Sequence, residues 1–443
     1  MDAPPSRRAS ALDRAFLALG DGAPDALPDV GAIMYLDGPA PSLADVRQVV
    51  LAALPALPVL THELHGPPAD VRWRPVAGFD VARHLTETVA DGTGRTAVLD
   101  AARQRWAGPL PAGAAWELCL LRPSSGEGWG LCYRVHHAWQ DGMAIGHTLQ
   151  TLFSPAGPGP SPRPAAGQQA AAPSVVRFVR AVVTSVALYG GYLRRTPNGL
   201  GGPWSLSGRR RISTAATSLP VLRAVARSAG GTVHDAYLAA LAGAVRAWCE
   251  ETGRTPAPLS VAVALNVRRT DEPSTWGNRC FVRRVRLPCH ESDPSRRLTG
   301  TVAAAAPLKS PRVRQTAQDL LCGSSEWLVR FGFPRFLDPR YGSFVSSYVP
   351  CGEDGSAVPA RLTDILPITL LPPGHPFNIC LTTFRSTAQV AVVSDTAVTG
   401  AHRFPALWQQ AVEELREATA VSPPAPRAPA DGLAGTADGR GTA

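Results

Sequence analysis

The chain alternates between segments with the apolar spacing of helices and segments with that of strands. In the first half, alternating apolar and polar residues predict strands over residues 31–36, 116–121 and 129–135. Apolar residues three and four positions apart predict helices over residues 43–57 and 143–153. The second helix follows closely on the third strand, so the short turn between them joins two ordered elements.

The second half shows the same mixture of elements. A T-x-x-D cap at Thr232 precedes a predicted helix over residues 236–248. Alternating apolar residues then predict a strand over 259–267 and a hairpin within 377–393. An amphipathic helix over 404–415 ends the ordered part of the chain.

Strands and helices therefore alternate in both halves, which is typical of the α/β class. Residues 154–174 are rich in proline, glycine and alanine, so they mark a break between the halves. We expect an N-terminal lobe over 1–153, a connecting region over 154–208, a C-terminal lobe over 209–421 and a disordered tail over 422–443. The junction of the two lobes is the expected place for a site.

The most apolar stretch of the connecting region covers residues 181–193, between Arg180 and Arg194. It is too short to span a bilayer, because a transmembrane helix needs about 20 residues. A buried helix is one interpretation of this segment. Interfacial contact through Tyr189 and Tyr192 is the other.

Composition narrows the classes of function. Hydrophobic residues make up 45% of the 443 residues and charged residues 18%, which is typical of a globular protein with a sizeable core. One of the 44 basic residues is lysine, Lys309, and the arginines are scattered, so the net charge of +9 does not indicate a nucleic-acid surface. A small arginine cluster within 279–286 leaves a phosphate-binding patch as the alternative to a solvated surface.

The eight cysteines and the start of the chain indicate a reducing, cytoplasmic environment. No cysteine pair has the C-x-x-C spacing of a zinc or dithiol site, and several cysteines lie in apolar runs. The first ten residues contain no apolar signal segment. The sequence also lacks the G-x-S-x-G turn of serine hydrolases and the phosphate-binding loop that ends in a lysine.

Residues 136–142 carry the clearest chemical pattern, His136-His137-x-x-x-Asp141-Gly142. Adjacent histidines at a strand end point in different directions, so only one of them can face a given pocket. An imidazole titrates near neutral pH and can remove a proton from a hydroxyl, an amine or a thiol. Asp141 can hold the turn, and Gly142 permits a close approach of backbone. Structural histidines remain one alternative, and a metal site, for which no third ligand is indicated, remains the other.

This pattern matches the HHxxxDG motif of the chloramphenicol acetyltransferase-like superfamily, which includes condensation domains. The surrounding chain resembles the bacterial wax ester synthase/diacylglycerol acyltransferase family over about residues 9–420. The resemblance rests on an ordered series of segments at residues 10–16, 109–117, 231–235, 261–268 and 277–279. In the first of these, Ser10 and Asp13 have the spacing of a helix N-cap with an acidic third residue.

The resemblance implies a two-lobed fold with mixed sheets and an active-site tunnel between the lobes. It also implies transfer of an acyl group from an acyl thioester, usually acyl-CoA, to an acceptor hydroxyl, without a metal or another cofactor. His137 would be the general base that takes the acceptor's proton and returns it to the departing thiolate. His136 would support the turn, and Asp141 would orient the loop through an arginine, with Arg268 as one candidate.

The resemblance further implies that Gly142, Asn278, His234 and Asp235 contact the substrate. Asn278 is a candidate oxyanion donor, and a turn-forming Gly-Asn pair is the alternative. His234 stands where the family has asparagine, and helix capping is the alternative role for Asp235. A second departure, alanine at residues 114–115 in place of a Pro-Leu pair, leaves the identity of the acceptor open.

We therefore expect an O-acyltransferase that forms esters with a long-chain alcohol or diacylglycerol. The second hypothesis is a condensation-like enzyme that acylates a hydroxyl or amine of a natural product, with its donor on CoA or on an acyl carrier protein. A non-catalytic acyl-binding scaffold is the third. The expected partners are the acyl donor and a hydroxyl-bearing acceptor, with no nucleic acid. A lipid acceptor would add peripheral contact with the inner membrane surface or a lipid droplet.

Overall fold

A computed structural model describes residues 7–22, 28–153, 195, 200, 204–268, 276–323, 333–334, 337–352, 356–357 and 360–421. The predicted tail over 422–443 and the apolar segment over 181–193 lie outside the described residues. The same holds for most of the predicted connecting region over 154–208.

The N-terminal half builds most of a six-stranded mixed sheet. In spatial order its strands are β11 (Ser356–Ala357), β12 (Ala360–Ile368), β1 (Asp29–Asp37), β6 (Trp129–His136), β5 (Trp116–Ser125) and β4 (Leu85–Thr93). β4 runs parallel to β5, whereas β1, β5, β6 and β12 pair antiparallel. The same half contains helices α1 (Ala11–Gly22), α2 (Leu43–Ala53), α3 (Gly94–Ala107) and α4 (Gly142–Phe153), and a small hairpin of β2 (His62–His65) and β3 (Arg72–Pro75).

The C-terminal half builds a second six-stranded mixed sheet. Its spatial order is β7 (Arg210–Ser218), β14 (Thr387–Asp395), β13 (Phe377–Phe384), β10 (Val345–Pro350), β8 (Leu259–Asn266) and β9 (Cys280–Leu287). β10 is parallel to both of its neighbours. The helices of this half are α5 (Leu219–Ser228), α6 (Val233–Glu251), α7 (Pro294–Ala305), α8 (Pro311–Gly323) and α9 (Phe404–Ala418).

The predicted helix over residues 43–57 is shorter than expected. α2 ends at Ala53, and two short 3₁₀ turns, Leu54–Ala56 and Pro58–Thr61, follow it. Proline lacks the N–H that a helix needs and restricts the residue before it, so Pro55 and Pro58 end the α-helical hydrogen bonding. The apolar spacing continues across the prolines because the turns still pack on the core.

α6 forms the centre of the second lobe because its sequence is apolar on nearly every side. Its residues from Asp235 to Val245 are all buried. Thr232 forms the predicted capping box with Asp235 at the start of this helix. No helix in the described part of the chain, α6 included, is long and apolar enough to cross a membrane.

β12 carries the C-terminal half of the chain into the first sheet. It pairs antiparallel with β1, with Ile368 opposite Gly31. The predicted C-terminal lobe over 209–421 is therefore interrupted, since Ser356–Ala357 and Ala360–Ile368 lie in the sheet of the other lobe. Apolar alternation marks a segment as a strand, but it does not specify the partner of that strand.

An apolar cluster joins the two lobes. Ile33 and Leu366 from the first sheet pack in one cluster with Ile212 and Val393 from the second, and all four are buried. Removing such side chains from water stabilises the contact, at about 1.5–3 kcal/mol for each fully buried aliphatic side chain. This packing therefore fixes the two sheets against each other at the junction of the lobes.

Candidate active site

The turn that carries the motif is fixed to neighbouring strands by backbone hydrogen bonds. The amide of His136 donates to the carbonyl of Ala115 at 2.8 Å, and the amide of His137 donates to the carbonyl of Pro28, also at 2.8 Å. These two bonds attach the end of β6 to the residues just before β5 and β1, the two strands that flank it. The motif therefore lies where a strand ends and helix α4 begins, as the sequence predicts.

The two motif histidines face different cavities. His137 lines a cavity of about 160 Å³ between the two sheets, which we call the central cavity. His136 lines a separate cavity of about 340 Å³ in the N-terminal lobe, together with His62, His84 and Trp116. Successive side chains at a strand end point to opposite sides. The prediction that only one histidine of the pair faces a given pocket is confirmed.

Both lobes contribute walls to the central cavity. α1, α4, β1 and β12 form one side, and β8, β9, β10 and β13 form the other. The lining is mostly apolar, with polar side chains that include Ser347, Asn378 and Thr382. The junction of the lobes thus holds a mainly apolar chamber with one histidine in its wall, an arrangement typical of small-molecule sites.

Asn278 fixes the tautomer of His137. Nδ1 of His137 lies 2.9 Å from Oδ1 of Asn278. The orientation of the Asn278 amide is set because its Nδ2 donates to the carboxylate of Asp13 at 3.0 Å and to the carbonyl of His137 at 2.8 Å. Oδ1 is therefore an acceptor, and Nδ1 of His137 must carry the proton. Nε2 keeps its lone pair and can accept a proton from a bound hydroxyl.

Asp13 ties this arrangement to α1. One carboxylate oxygen accepts a hydrogen bond from the backbone amide of Asn278 at 2.8 Å, and the other accepts one from the amide of Ser10 at 2.9 Å. The predicted Ser10–Asp13 cap is thus confirmed. Gly277 has φ +61°, and a Cβ at that residue would lie 2.9 Å from the Asp13 carboxylate. Only glycine fits this approach without strain.

The expectation that Asn278 donates to an oxyanion is wrong. Its side chain is 1% exposed, and its Nδ2 hydrogens are taken by Asp13 and the His137 carbonyl. No donor is left for a substrate. Asn278 instead sets the tautomer of the His137 imidazole. The alternative interpretation, a turn-forming Gly-Asn pair, did not include this role.

Burial lowers the pKa of His137 because it disfavours the charged imidazolium. The ring stacks on Phe16 with a centroid separation of 3.8 Å and an interplanar angle of 6°. The charge of Asp141 and the hydrogen bond that His137 donates to Asn278 oppose the effect of burial without cancelling it. His137 is therefore neutral at pH 7, which is the form that a general base requires.

His136 supports the turn, as expected. Its Nδ1 accepts a hydrogen bond from the backbone amide of Ala138 at 3.1 Å, and its ring meets Trp139 edge-on at 5.5 Å. Burial, with a smaller contribution from neighbouring His137, lowers the pKa of His136 to about 4. Nδ1 is thus an acceptor in His136 and a donor in His137, so the two rings hold different tautomers.

Asp141 is a structural anchor. Its carboxylate makes a two-point ion pair with Arg268, with both N–O distances at 2.8 Å. It also accepts the backbone amides of Ala144 at 3.0 Å and Arg279 at 2.8 Å. Burial alone would raise the pKa of Asp141, but Arg268 and these hydrogen bonds hold it below its usual value. The predicted pairing with Arg268 is confirmed.

Gly142 lines the central cavity and makes the predicted close approach. A Cβ at this position would lie 2.8 Å from Cγ2 of Val349 on β10. With a larger residue, either the Val349 side chain or the start of α4 would have to shift. Glycine therefore fits this position without a shift of Val349 or of α4.

His234 and Asp235 do not line the central cavity, contrary to the expectation that they contact substrate. Asp235 accepts the amide of Thr232 at 2.6 Å and pairs with Lys309 at 2.5 Å, so the capping alternative is correct. His234 packs against Tyr237 and Tyr348, and burial lowers its pKa to about 4. Asp235 therefore caps the start of α6, and His234 packs beside it.

The metal alternative gains no support from the described residues. Among them, no group of three His, Cys, Asp or Glu side chains is placed to hold a metal ion. The nitrogen of His137 that faces Asn278 is already engaged, and its second nitrogen is the atom left for chemistry. The geometry therefore favours proton transfer by His137.

Replacing Asn278 by leucine is expected to lower kcat by about 10- to 100-fold with little change in KM. The leucine side chain cannot accept the Nδ1 proton, so the ring of His137 loses the contact that sets its tautomer and orientation. Steady-state kinetics measure kcat and KM, and circular dichroism reports whether the variant is folded. A folded variant with unchanged kcat would show that Asn278 has no part in positioning the base.

The free energy of unfolding is expected to fall as the pH drops from about 6.5 towards about 4. Burial lowers the pKa of His136, His234 and His375 to about 4 in the folded protein. Between the unfolded and folded pKa values, the unfolded chain binds protons that the folded chain does not, so acid favours unfolding. Urea denaturation across this range measures the effect. In His234→Asn the dependence should be shallower, and an equally steep one would contradict the assignment.

The chain is similar in sequence to relatives that are named as acyltransferases and similar in fold to solved acyltransferase and condensation-domain structures. A candidate diacylglycerol O-acyltransferase of Mycobacterium tuberculosis is 24% identical over 408 residues, covering 82% of this chain and 89% of the relative. The solved wax ester synthase/diacylglycerol acyltransferase from Marinobacter aquaeolei VT8 has a TM-score of 0.65 at 18% identity, covering 94% of this chain and 100% of that chain. The starter condensation domain of rhizomide synthetase, in complex with C8-CoA, has a TM-score of 0.62 at 14% identity, covering 94% and 95%. No family profile matches the chain.

The chain therefore shares a two-lobed mixed α/β fold with these solved structures, and its HHxxxDG turn lies at the junction of the lobes. The predicted fold class is confirmed. The resemblance to the wax ester synthase/diacylglycerol acyltransferase family that the sequence predicted is matched by these similarities in sequence and in fold.

Proposed function

We propose that this chain transfers an acyl group from an acyl thioester to a hydroxyl, with His137 as the general base. One observation carries the proposal: His137 lines the central cavity while Asn278 holds its Nδ1 proton, so that Nε2 is the free basic atom. A neutral imidazole in this tautomer is ready to accept a proton. Its lowered pKa keeps it in that state at neutral pH.

The reaction would proceed in two proton transfers without a covalent acyl-enzyme. Nε2 of His137 removes the hydroxyl proton of the acceptor as its oxygen bonds to the thioester carbonyl carbon. The carbon–sulfur bond then breaks, and the imidazolium returns the proton to the thiolate. One ester and one free thiol result, so the residue regains its starting state. The apolar lining of the central cavity limits the water that would otherwise hydrolyse the thioester.

Acyl-CoA is the donor that we favour, and an acyl carrier protein is the second donor that this chemistry allows. The rhizomide synthetase condensation domain, which shares this fold, was solved with C8-CoA. Acid–base chemistry by an imidazole needs neither a metal nor an organic cofactor. We therefore propose that the enzyme works without a resident cofactor and takes acyl-CoA as a co-substrate.

For the acceptor, we favour a long-chain alcohol or diacylglycerol. The names of the Mycobacterium tuberculosis and Marinobacter relatives include diacylglycerol acyltransferase, and the lining of the central cavity is mostly apolar. Such an acceptor resides in lipid, so we also propose peripheral contact with a membrane or lipid-droplet surface. Flotation of the purified protein with phospholipid vesicles measures this contact directly.

A condensation-like tailoring enzyme is the second candidate function. The similarity to a condensation domain favours it, and so do the departures at His234 and at residues 114–115 from the family pattern. In this case the acceptor would be a hydroxyl or amine of a natural product. The proton transfer at His137 would be the same.

Thiol release from a panel of acyl-CoAs tests both candidates. Each acyl-CoA is combined with a fatty alcohol, diacylglycerol, or a small amine, and products are identified by mass spectrometry. We expect thiol release that depends on the acceptor, with an ester of the alcohol or diacylglycerol as product. Products from amines alone would favour the tailoring enzyme. Absence of transfer from any acyl-CoA, and from an acyl carrier protein, would favour the non-catalytic scaffold.

A further inference from the structure

Asn378 is a buried polar residue in the wall of the central cavity. It lies on β13, its exposed fraction is 3%, and it faces a mostly apolar chamber. Its Nδ2 donates to Oγ1 of Thr369 at 3.1 Å and to the carbonyl of Leu370 at 2.7 Å. Both hydrogens of the amide are therefore directed to the loop that follows β12.

Among the residues that the structure describes, Oδ1 of Asn378 has no hydrogen-bond partner. The amide cannot be turned over to improve this, because the carbonyl of Leu370 accepts hydrogen bonds and must face Nδ2. Leaving a buried acceptor without a partner is costly, and buried polar groups are nearly always satisfied. A donor supplied by a bound substrate would remove this cost.

Asn378 and His137 line the same cavity, and the loop that accepts hydrogen bonds from Asn378 runs towards the motif end of the first sheet. His136 pairs with Asp29 on β1, and on the other side of β1, Ile368 pairs with Gly31, two residues away. The loop after Ile368 therefore continues towards the motif end of the sheet. Neighbouring strands are about 4.8 Å apart, so this loop lies roughly two strand spacings from the motif turn.

We propose that Oδ1 of Asn378 accepts a hydrogen bond from the amide N–H next to the thioester of the acyl donor. This inference rests on the proposed function. Both CoA and an acyl carrier protein present the thioester on a pantetheine arm, whose first amide nitrogen is four bonds from the acyl carbonyl carbon. That N–H needs an acceptor when it enters an apolar cavity. The hydroxyl of the acceptor does not compete, because its proton goes to His137.

A matched pair of donors tests the proposal. The first is an S-acyl pantetheine, and the second is the same molecule with an ester oxygen in place of the N–H nearest the sulfur. Each donor is assayed with wild type and with Asn378→Leu. Leucine is similar in size to asparagine but has no hydrogen-bond acceptor. We expect wild type to lose about tenfold in kcat/KM on going from the amide to the ester donor. Asn378→Leu should handle the two donors within about twofold of each other.

The contrary results separate this inference from the proposed function. Equal kcat/KM for the two donors in wild type would overturn the hydrogen bond to Asn378 while acyl transfer itself stands. The same tenfold penalty in Asn378→Leu would show that a group other than Asn378 accepts the hydrogen bond from this N–H. If the variant does not fold, the comparison of the two donors with wild type still tests whether this N–H forms a hydrogen bond in the cavity. Wild type without transfer from either donor, from any acyl-CoA or from an acyl carrier protein would overturn the proposed function and this inference together.

Discussion

Replacing His137 by asparagine is expected to lower kcat for acyl transfer by about 10²- to 10⁴-fold while the protein stays folded. An asparagine amide can still donate to Oδ1 of Asn278 from near the position of Nδ1, so the contacts around the turn persist. It lacks the basic atom at the position of Nε2. The loss therefore reports the contribution of proton removal. Thiol release in the presence of acceptor, with products identified by mass, is the measurement.

His136→Asn is the matched control for this experiment. Its Oδ1 lies near the position of Nδ1 and can accept the amide of Ala138, which is the contact that His136 makes. We expect kcat to change by less than about tenfold, because His136 lines a different cavity. If both substitutions abolish transfer equally, or if His137→Asn keeps full activity, His137 is not the general base.

Replacing Asp141 by alanine is expected to lower the free energy of unfolding by about 3–5 kcal/mol. The substitution leaves the Arg268 guanidinium, whose side chain is 5% exposed, without its two-point partner. It also removes the acceptor for the amides of Ala144 and Arg279. Urea denaturation followed by tryptophan fluorescence measures the change. Asp141→Asn should fall between wild type and alanine, since it can still accept hydrogen bonds but carries no charge.

Asp100→Ala is the control for a solvent-exposed ion pair. Asp100 pairs with Arg103 on α3, and their side chains are 52% and 39% exposed. Exposed pairs contribute little, so the loss should be below about 1 kcal/mol. A loss of stability in Asp141→Ala no greater than that in Asp100→Ala would show that the buried pair does not anchor the lobe junction.

Much of the local structure could be predicted from the sequence. The strand before the motif, the helix after it and the cap at Thr232 are confirmed, because each depends on residues close together in the chain. The pairing of Asp141 with Arg268 could be named because a buried carboxylate needs a cation and the family resemblance placed an arginine nearby.

The contacts between distant segments could not be predicted in this way. Asn278 meets both His137 and Asp13, which are 141 and 265 residues away in the sequence. From the sequence alone, its amide is a candidate donor to the substrate. The fold shows that both hydrogens of Nδ2 are donated to Asp13 and to the His137 carbonyl. Asn378 lies in a strand whose neighbours are apolar, and nothing in that pattern indicates a polar group in the cavity wall. Such roles depend on topology rather than on local spacing.

The pairing of β12 with β1 determines how this chain can be divided. A fragment that stops within residues 154–208 would keep β1 but lose the strand that covers one of its edges. Every residue of β1 except the last is buried in the complete protein. The uncovered edge would therefore be a template for pairing with other chains. Such a fragment is expected to aggregate when it is expressed alone and to become soluble when the C-terminal half is co-expressed.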